Sequence, residues 1–349
     1  MGQIRLAGLQ SSPKMRVAYV IDESLQQAQT LAAQFNATGV KTLAEALHDP
    51  QVTAVWISTP TFTHLELIRE AAQAGKAIAV EKPVAGTLAD LDAAYQGNKL
   101  FHICTLACQD ASVPLFCSFQ RRFDPHYAAL RDAITSNSIG AIQSIQTVFR
   151  DHPCPPVEFL KAGGDPFHDL AVHDIDFVCD VLNEYPSQVL AFGTSLNADL
   201  RDANVRTTLF TCQLAYIRPQ TTLFTCQLAF SDDFPSGVVC TMDLARHASY
   251  GYDQRIEVFG ELGMLDVQNL HKTALRQSSA AGVTEAPYLH SFPQRFRDAY
   301  ELEIDHFASI VLSNQVPSVT WRAARNATII AEACRQSASL RQQVCGEDS

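Results

Sequence analysis

The sequence has no C-x-x-C pair. Its ten cysteines (104, 108, 117, 154, 179, 212, 226, 240, 334, 345) are scattered through 349 residues, whereas zinc sites and redox dithiols need closer spacing. They are expected to be small buried hydrophobes of a cytoplasmic protein in a reducing compartment, not a disulfide scaffold. No apolar run approaches the ~20 residues of a membrane span. The N-terminus, M-G-Q-I-R-L-A-G-L-Q, lacks the apolar centre of a signal peptide. Basic charge is also short: 26 Lys and Arg stand against 37 Asp and Glu, a net charge of −11. Nucleic acid and anionic membrane both require a basic patch, so neither is an expected partner.

What is present begins with βαβ alternation. Strands are expected at Met15–Ile21, Ala54–Ser58 and Ala77–Val80, with helices at Met1–Leu9, Ser24–Phe35, Lys41–His48 and His64–Ala74. Such alternation predicts a parallel sheet whose strand ends, carrying Asp22, Thr59 and Glu81, share one edge as a binding crevice. The most informative stretch is A-I-A-V-E-K-P (Ala77 to Pro83): a buried strand that Pro83 must stop, leaving Lys82 at the rim. A Glu81–Lys82 neighbour pair also fits a solvated surface.

A helix is expected after Thr87, then a Cys-rich apolar stretch from Leu100 to Cys108, and a strand at Pro114–Phe119. Beyond it the pattern changes to strands at Ile142–Arg150, Val189–Ser195, Thr207–Tyr216, Gly237–Ala245 and Arg255–Phe259. These predict an open, mainly antiparallel sheet, closed by helices at Asp298–Leu312 and Trp321–Leu340. The expected domains are residues 1–118 and 119–349, so the fold class is α/β followed by α+β. T-T-L-F-T-C-Q-L-A occurs twice, at 207–215 and 221–229. Two copies do not make a solenoid, and the pair is read as a local duplication without function.

The second informative stretch is G-G-D-P-F-H-D-L-A-V-H-D-I-D (Gly163 to Asp176). Gly163-Gly164 and Pro166 predict a turn before a helix. On that helix Asp169 and His173 are i and i+4, one above the other, with Asp176 along the same face. A carboxylate one turn from a histidine can orient a general base and stabilise its imidazolium. A solvated polar helix face is the plainer reading, with Ile175, Val178 and Leu182 burying the other side. A metal is not expected, because His168 and His173 are i and i+5 and diverge.

E-K-P at a strand end, F-Q-R-R-F-D-P after the last strand of the first domain, and G-G-x-x-x-H-D-L-x-x-H-D-I-D occur in this order. Y-G-Y-D-Q-R-I-E-V-F-G (Tyr250 to Gly260) and A-Y-E-L-E-I-D-H-F (Ala299 to Phe307) follow them. Together they resemble the Gfo/Idh/MocA oxidoreductases, most nearly the inositol 2-dehydrogenase branch, over nearly the whole chain.

The resemblance implies a Rossmann-type domain, a polyol or sugar substrate, NAD in preference to NADP, and a homodimer or homotetramer. It implies that Gly2, Gln3, Ile4, Asp22, Ser58, Thr59, Pro60, His64, Glu81, Lys82, Gln120 and Arg121 hold the cofactor, Asp22 at the adenine ribose. It implies Lys82, Asp169 and His173 as the catalytic group, with Arg122 and Tyr252 joining them at the substrate and Arg121 beside Arg122. One departure stands out. The family opens on a strand and a G-x-G-x-x-G turn, and here only Gly2 matches, at the third glycine. The missing central strand predicts a gap in the parallel sheet and weakened dinucleotide binding. The expected explanations are a chain given incomplete at its start or a non-catalytic member. A dihydrodiol or aldose dehydrogenase is the alternative within the enzyme class.

Overall fold

The computed structural model describes residues 1–85, 108, 113–162, 165–195, 209–216, 236–340 and 344–345. The helix expected after Thr87, most of the Leu100–Cys108 stretch, the Gly163-Gly164 turn and the second T-T-L-F-T-C-Q-L-A copy lie outside these residues. The chain forms two compact units, Met1–Asp124 with Asp298–Arg325, and Pro125–Arg297 with Asn326–Ser349. A single cut near Ser118 was expected. Instead the first unit takes back a late segment, which supplies the rings and carboxylate that pack against its sheet.

In the first unit, helix α1 (Gly2–Ser11) precedes β1 (Tyr19–Ile21), α2 (Leu25–Gln34), β2 (Thr38–Val40) and α3 (Leu43–Leu47). Ser24 caps α2, its Oγ accepting from Gln27 N–H at 3.3 Å. Thr42 and Glu45 form a capping box on α3, which satisfies donors that a helix start leaves open. Then come β3 (Ala54–Ile57), α4 (His64–Gln73), β4 (Ala77–Glu81) and β5 (Leu115–Ser118).

All pairings in this unit are parallel, but they make two sheets among the described residues: β1 with β2, and β3-β4-β5. The edge carrying Thr59 and Glu81 is therefore one sheet's, and Asp22 ends a strand of the other. Every residue of β4 is buried, the condition of a parallel strand covered on both faces. Phe116 of β5 stacks on Phe307 with centroids 6.0 Å apart, and Trp56 meets the same ring edge-on at 5.4 Å.

Among the described residues, the second unit is built on a seven-stranded sheet ordered β11-β10-β6-β9-β8-β7-β14. Its strands are β6 (Ile142–Arg150), β7 (Gln188–Thr194), β8 (Leu209–Tyr216), β9 (Val238–Ala245), β10 (Asp253–Gly260), β11 (Met264–Val267) and β14 (Val344–Cys345). Only β6 and β9 pair in parallel; the sheet is otherwise antiparallel. The described part of the first T-T-L-F-T-C-Q-L-A copy is β8, placed between β7 and β9. A separate hairpin, β12 (Arg276–Ser279) with β13 (Gly282–Glu285), is exposed throughout.

Helices α5 (Pro125–Thr135), α6 (Val157–Ala162) and α7 (Val172–Leu182) belong to this unit, with the short α8 (Phe292–Arg295). Helices α9 (Arg297–Ser313) and α10 (Trp321–Leu340) carry the chain from one unit to the other.

Two expectations for Gly163 to Asp176 are corrected. The turn carrying Asp169, Phe167–Ala171, is a π-helix and not the start of the α-helix. Nor is α7 a solvated polar face: Val172 to Cys179 are all buried, His173, Asp174 and Asp176 included. The helix is enclosed on both sides, so its polar groups must be satisfied inside the protein. Among the described cysteines, 108, 117, 179, 212, 240 and 334 are buried and Cys154 is half-buried, and none of these seven is in a disulfide.

Candidate active site

In the first unit the residues expected at a cofactor gather at the start of α1 and the exits of β3, β4 and β5. Gly2 opens α1, and Gln3 and Ile4 complete its first turn. Ile4 N–H donates back to Met1 O at 2.8 Å, whereas the first amides of a helix have no acceptor within it. A Cβ on Gly2 would come 3.9 Å from Cβ of Ser58, so the helix start and the β3 exit adjoin. The Ser58 hydroxyl is buried with no hydrogen-bond partner among the described residues. Buried polar groups are rarely left so, and an anion received by the α1 amides would fit this hydroxyl too. Asp22, at the β1 exit, accepts from Ser24 N–H through Oδ1 at 2.8 Å.

Thr59 and Thr63 share a hydroxyl–hydroxyl hydrogen bond of 2.6 Å, and Thr63 Oγ1 donates to Pro60 O at 2.8 Å. His64 has Nε2 2.9 Å from Thr59 O and Nδ1 3.0 Å from Pro83 O. Its ring ties the β3 exit to the β4 exit, and burial pulls its pKa below the ordinary histidine value. With both nitrogens on the backbone, only the ring face remains for a cofactor.

Glu81 is likewise committed inside the protein. Its Oε1 accepts from Arg5 Nε at 2.6 Å and from Trp56 Nε1 at 3.3 Å. Burial would raise its pKa, but Arg5 outweighs that and holds it below the ordinary glutamate value. Lys82 follows at the rim, half-buried. Gln120, Arg121 and Arg122 form a buried 3₁₀ turn after β5, with Arg122 Nη1 donating to Ser318 O at 3.4 Å.

In the second unit Asp169 and His173 lie on consecutive turns. The Asp169 carboxylate accepts from Arg246, a buried arginine directly after β9. The sequence reading missed Arg246; the signal it left was a lone arginine ending an apolar strand. Residues ahead of Asp169 pin its turn. Asp165 Oδ1 accepts from Phe167 N–H at 2.8 Å and His168 N–H at 3.2 Å, and Oδ2 lies 2.8 Å from His168 Nδ1. Burial would raise the Asp165 pKa; His168 and the two amides bring it below the usual value.

His173 is buried, its ring meeting Phe149 edge-on at 6.5 Å. Phe149 in turn meets Tyr252 at 5.6 Å, and Tyr252 meets Phe296 at 6.1 Å. The structure thus brings Asp169, His173, Arg246 and Tyr252 together in one unit, whereas Lys82, Gln120, Arg121 and Arg122 belong to the other.

Residues 131–345 match the family domain described as "Oxidoreductase family, C-terminal alpha/beta domain", and residues 1–99 match "Oxidoreductase family, NAD-binding Rossmann fold". The chain belongs to the Gfo/Idh/MocA oxidoreductase family. Among relatives, it is 30% identical to the myo-inositol 2-dehydrogenase of Thermotoga maritima, over 86% of this chain and 81% of the relative. It is 29% identical to an inositol 2-dehydrogenase of Rhizobium meliloti, over 99% of this chain and 96% of the relative. A crystal structure described as a probable dehydrogenase from Thermotoga maritima superposes with a TM-score of 0.86 at 27% identity, covering 99% of this chain and 95% of that one. The family places an NAD-binding Rossmann domain before an α/β domain, as the fold described above does. Among the described residues, no helix is long and apolar enough to cross a membrane.

Proposed function

We propose that the protein oxidises a ring secondary alcohol of a cyclic polyol of the inositol class, with Lys82, Asp169 and His173 as its catalytic group. The observation that carries this reading is the Asp169 carboxylate held by buried Arg246 one turn before His173. A fixed anion beside an imidazole favours its protonated form, which a general base must pass through. The names of the full-length relatives supply the substrate class.

NAD, when bound, supplies the hydride acceptor. The Gly2 and Gln3 amides at the start of α1 would hold its diphosphate with Ile4 completing that turn, Asp22 its adenine ribose, and Ser58, Thr59, Pro60 and the His64 ring face the remainder. The Nδ1 atom of His173 is shut off from solvent, so Nε2 takes the hydroxyl proton. Lys82, as a cation, donates a hydrogen bond to the same oxygen and steadies its developing negative charge. Asp169 keeps the His173 imidazolium stable, and Tyr252 and Arg122 meet other hydroxyls of the ring. Pocket side chains and not the catalytic group choose among substrates, so a dihydrodiol or aldose remains the alternative that a substrate panel separates.

Lys82→Met keeps the aliphatic stem and removes the charge. Turnover of NAD with inositols is expected to vanish while the circular dichroism spectrum stays unchanged. His173→Ala is expected to lower kcat by about 10²- to 10⁴-fold. Near-normal kcat in either variant would overturn the assigned roles.

A second reading, a family member without cofactor affinity, is favoured by the split of the parallel strands into two sheets. NADH fluorescence titration separates the two, run on this chain and on a version with an N-terminal strand and glycine turn added. Binding by either version supports the dehydrogenase. Binding by neither moves the second reading ahead.

A further inference from the structure

Helix α1 docks in an unusual way. Arg5 is its only buried residue, at 2% exposure, whereas surface helices ordinarily bury an apolar stripe. Arg5 Nε donates to Glu81 at 2.6 Å, Nη1 lies 2.6 Å from Glu303 Oε2, and Nη2 donates to Ser118 Oγ. The guanidinium carbon also sits 4.6 Å from the centre of the Trp56 ring and 4.7 Å from that of Tyr300. One side chain thereby joins α1 to β3, β4, β5 and α9.

The titratable and charged groups facing it are Glu81 from β4 and Glu303 and Tyr300 from α9, with the chain's first amino group acting on Glu81. Trp56 and Ser118 add only neutral donors and acceptors. One cation therefore serves two carboxylates in a space closed to water. Burial, together with the like charge of Glu81 and against the pull of Arg5, pushes the Glu303 carboxyl up to about 7. Near neutral pH the cluster passes between balanced charge and one buried excess negative charge.

We propose that Arg5 is a positioning residue for the dinucleotide and for Lys82, and that the protonation of Glu303 sets how firmly it holds α1. The dinucleotide part rests on the function proposed above; the docking of α1 does not. With Glu303 protonated, Arg5 pairs with Glu81 alone, and Glu81 fixes the backbone that presents Lys82. With Glu303 ionised, the excess negative charge lies beneath a helix whose N-terminus must receive an anionic diphosphate. That charge opposes binding of the anion, while its attraction for the Arg5 guanidinium holds α1 more firmly.

The test is NADH titration at pH 6 and pH 8, paired with amide hydrogen exchange along α1 corrected for its intrinsic pH dependence. Affinity is expected to fall several-fold at pH 8, because a buried like charge repels the anion, while α1 protection should rise. Glu303→Gln should hold the pH 6 affinity and protection at both values. Glu303→Met, also uncharged and of similar size, should do the same if the amide disturbs packing. Arg5→Lys, which keeps the charge but loses the fork, should weaken affinity at both values.

The proposal is overturned if α1 protection in the natural sequence does not change with pH, or if both Glu303 variants still follow it. Absence of NADH binding at both values, with protection still governed by Glu303, would support the latch and sink the cofactor reading.

Discussion

Arg246 carries no apolar duty that a strand end would ask of it, yet it is buried and its guanidinium meets Asp169. Removing it would leave the Asp169 carboxylate without its counter-ion beside His173, and an uncompensated anion favours the protonated imidazole. Arg246→Met is therefore expected to lower kcat and to move the acidic limb of the pH–rate profile upward by about one pH unit or more. The stability cost should be about 1–3 kcal/mol, that of a lost hydrogen bond to a charged group. An unmoved acidic limb would exclude Arg246 from setting the charge felt by His173. Lys82, Asp169 and His173 could be singled out from their motifs, whereas Arg246 is 77 residues from its partner and no spacing rule reaches that far.

At the scale of elements, the π-turn Phe167–Ala171 is held from both sides. Asp165 caps its first amides, and His168 runs between Asp165 and Glu332 of α10, its Nε2 3.7 Å from the latter. Glu332 is in turn gripped by Arg335, through both carboxylate oxygens. A wide turn in a helix is seldom kept without such support, and it re-aims the side chain it carries. Asp165→Ala frees the cap and is expected to cost about 1–2 kcal/mol, read from the denaturant midpoint. It should also lower kcat, because Asp169 would settle into an α-helical turn and leave Arg246. Unchanged kcat with reduced stability would confine the turn to a structural role. The i, i+4 spacing of Asp169 and His173 correctly indicated neighbouring turns. It could not show the wider first turn, because a π-turn obeys the same local hydrophobic pattern with one residue more.

For the whole molecule, two buried carboxylates on one arginine give opposite pH dependences. The folded pKa of Glu303 is raised to about 7, so its contribution is full below the ordinary glutamate value and is lost as pH rises through 7. Glu81 is lowered, so its contribution is present above the ordinary value and is lost as pH falls through its folded pKa. Thermal stability is expected to peak near pH 5 and to decline toward pH 8, with the decline reduced in Glu303→Gln. Calorimetry over pH 4–8 checks this, and a Glu303→Gln curve parallel to the natural one would remove Glu303 as the cause.

The sequence by itself determined the order of elements, the parallel character of the first strands and the bounds of Ile142–Arg150 and Trp321–Leu340, because periodicity and breakers act over a few residues. Only the tertiary structure decided that Arg5 closes on Glu81 and Glu303, that Arg246 takes Asp169, that β6 pairs in parallel with β9, and that residues 298–325 return to the first unit. Each of these depends on which side chain or strand arrives from far along the chain, and burial makes that partner binding by desolvation, a force that local pattern does not record.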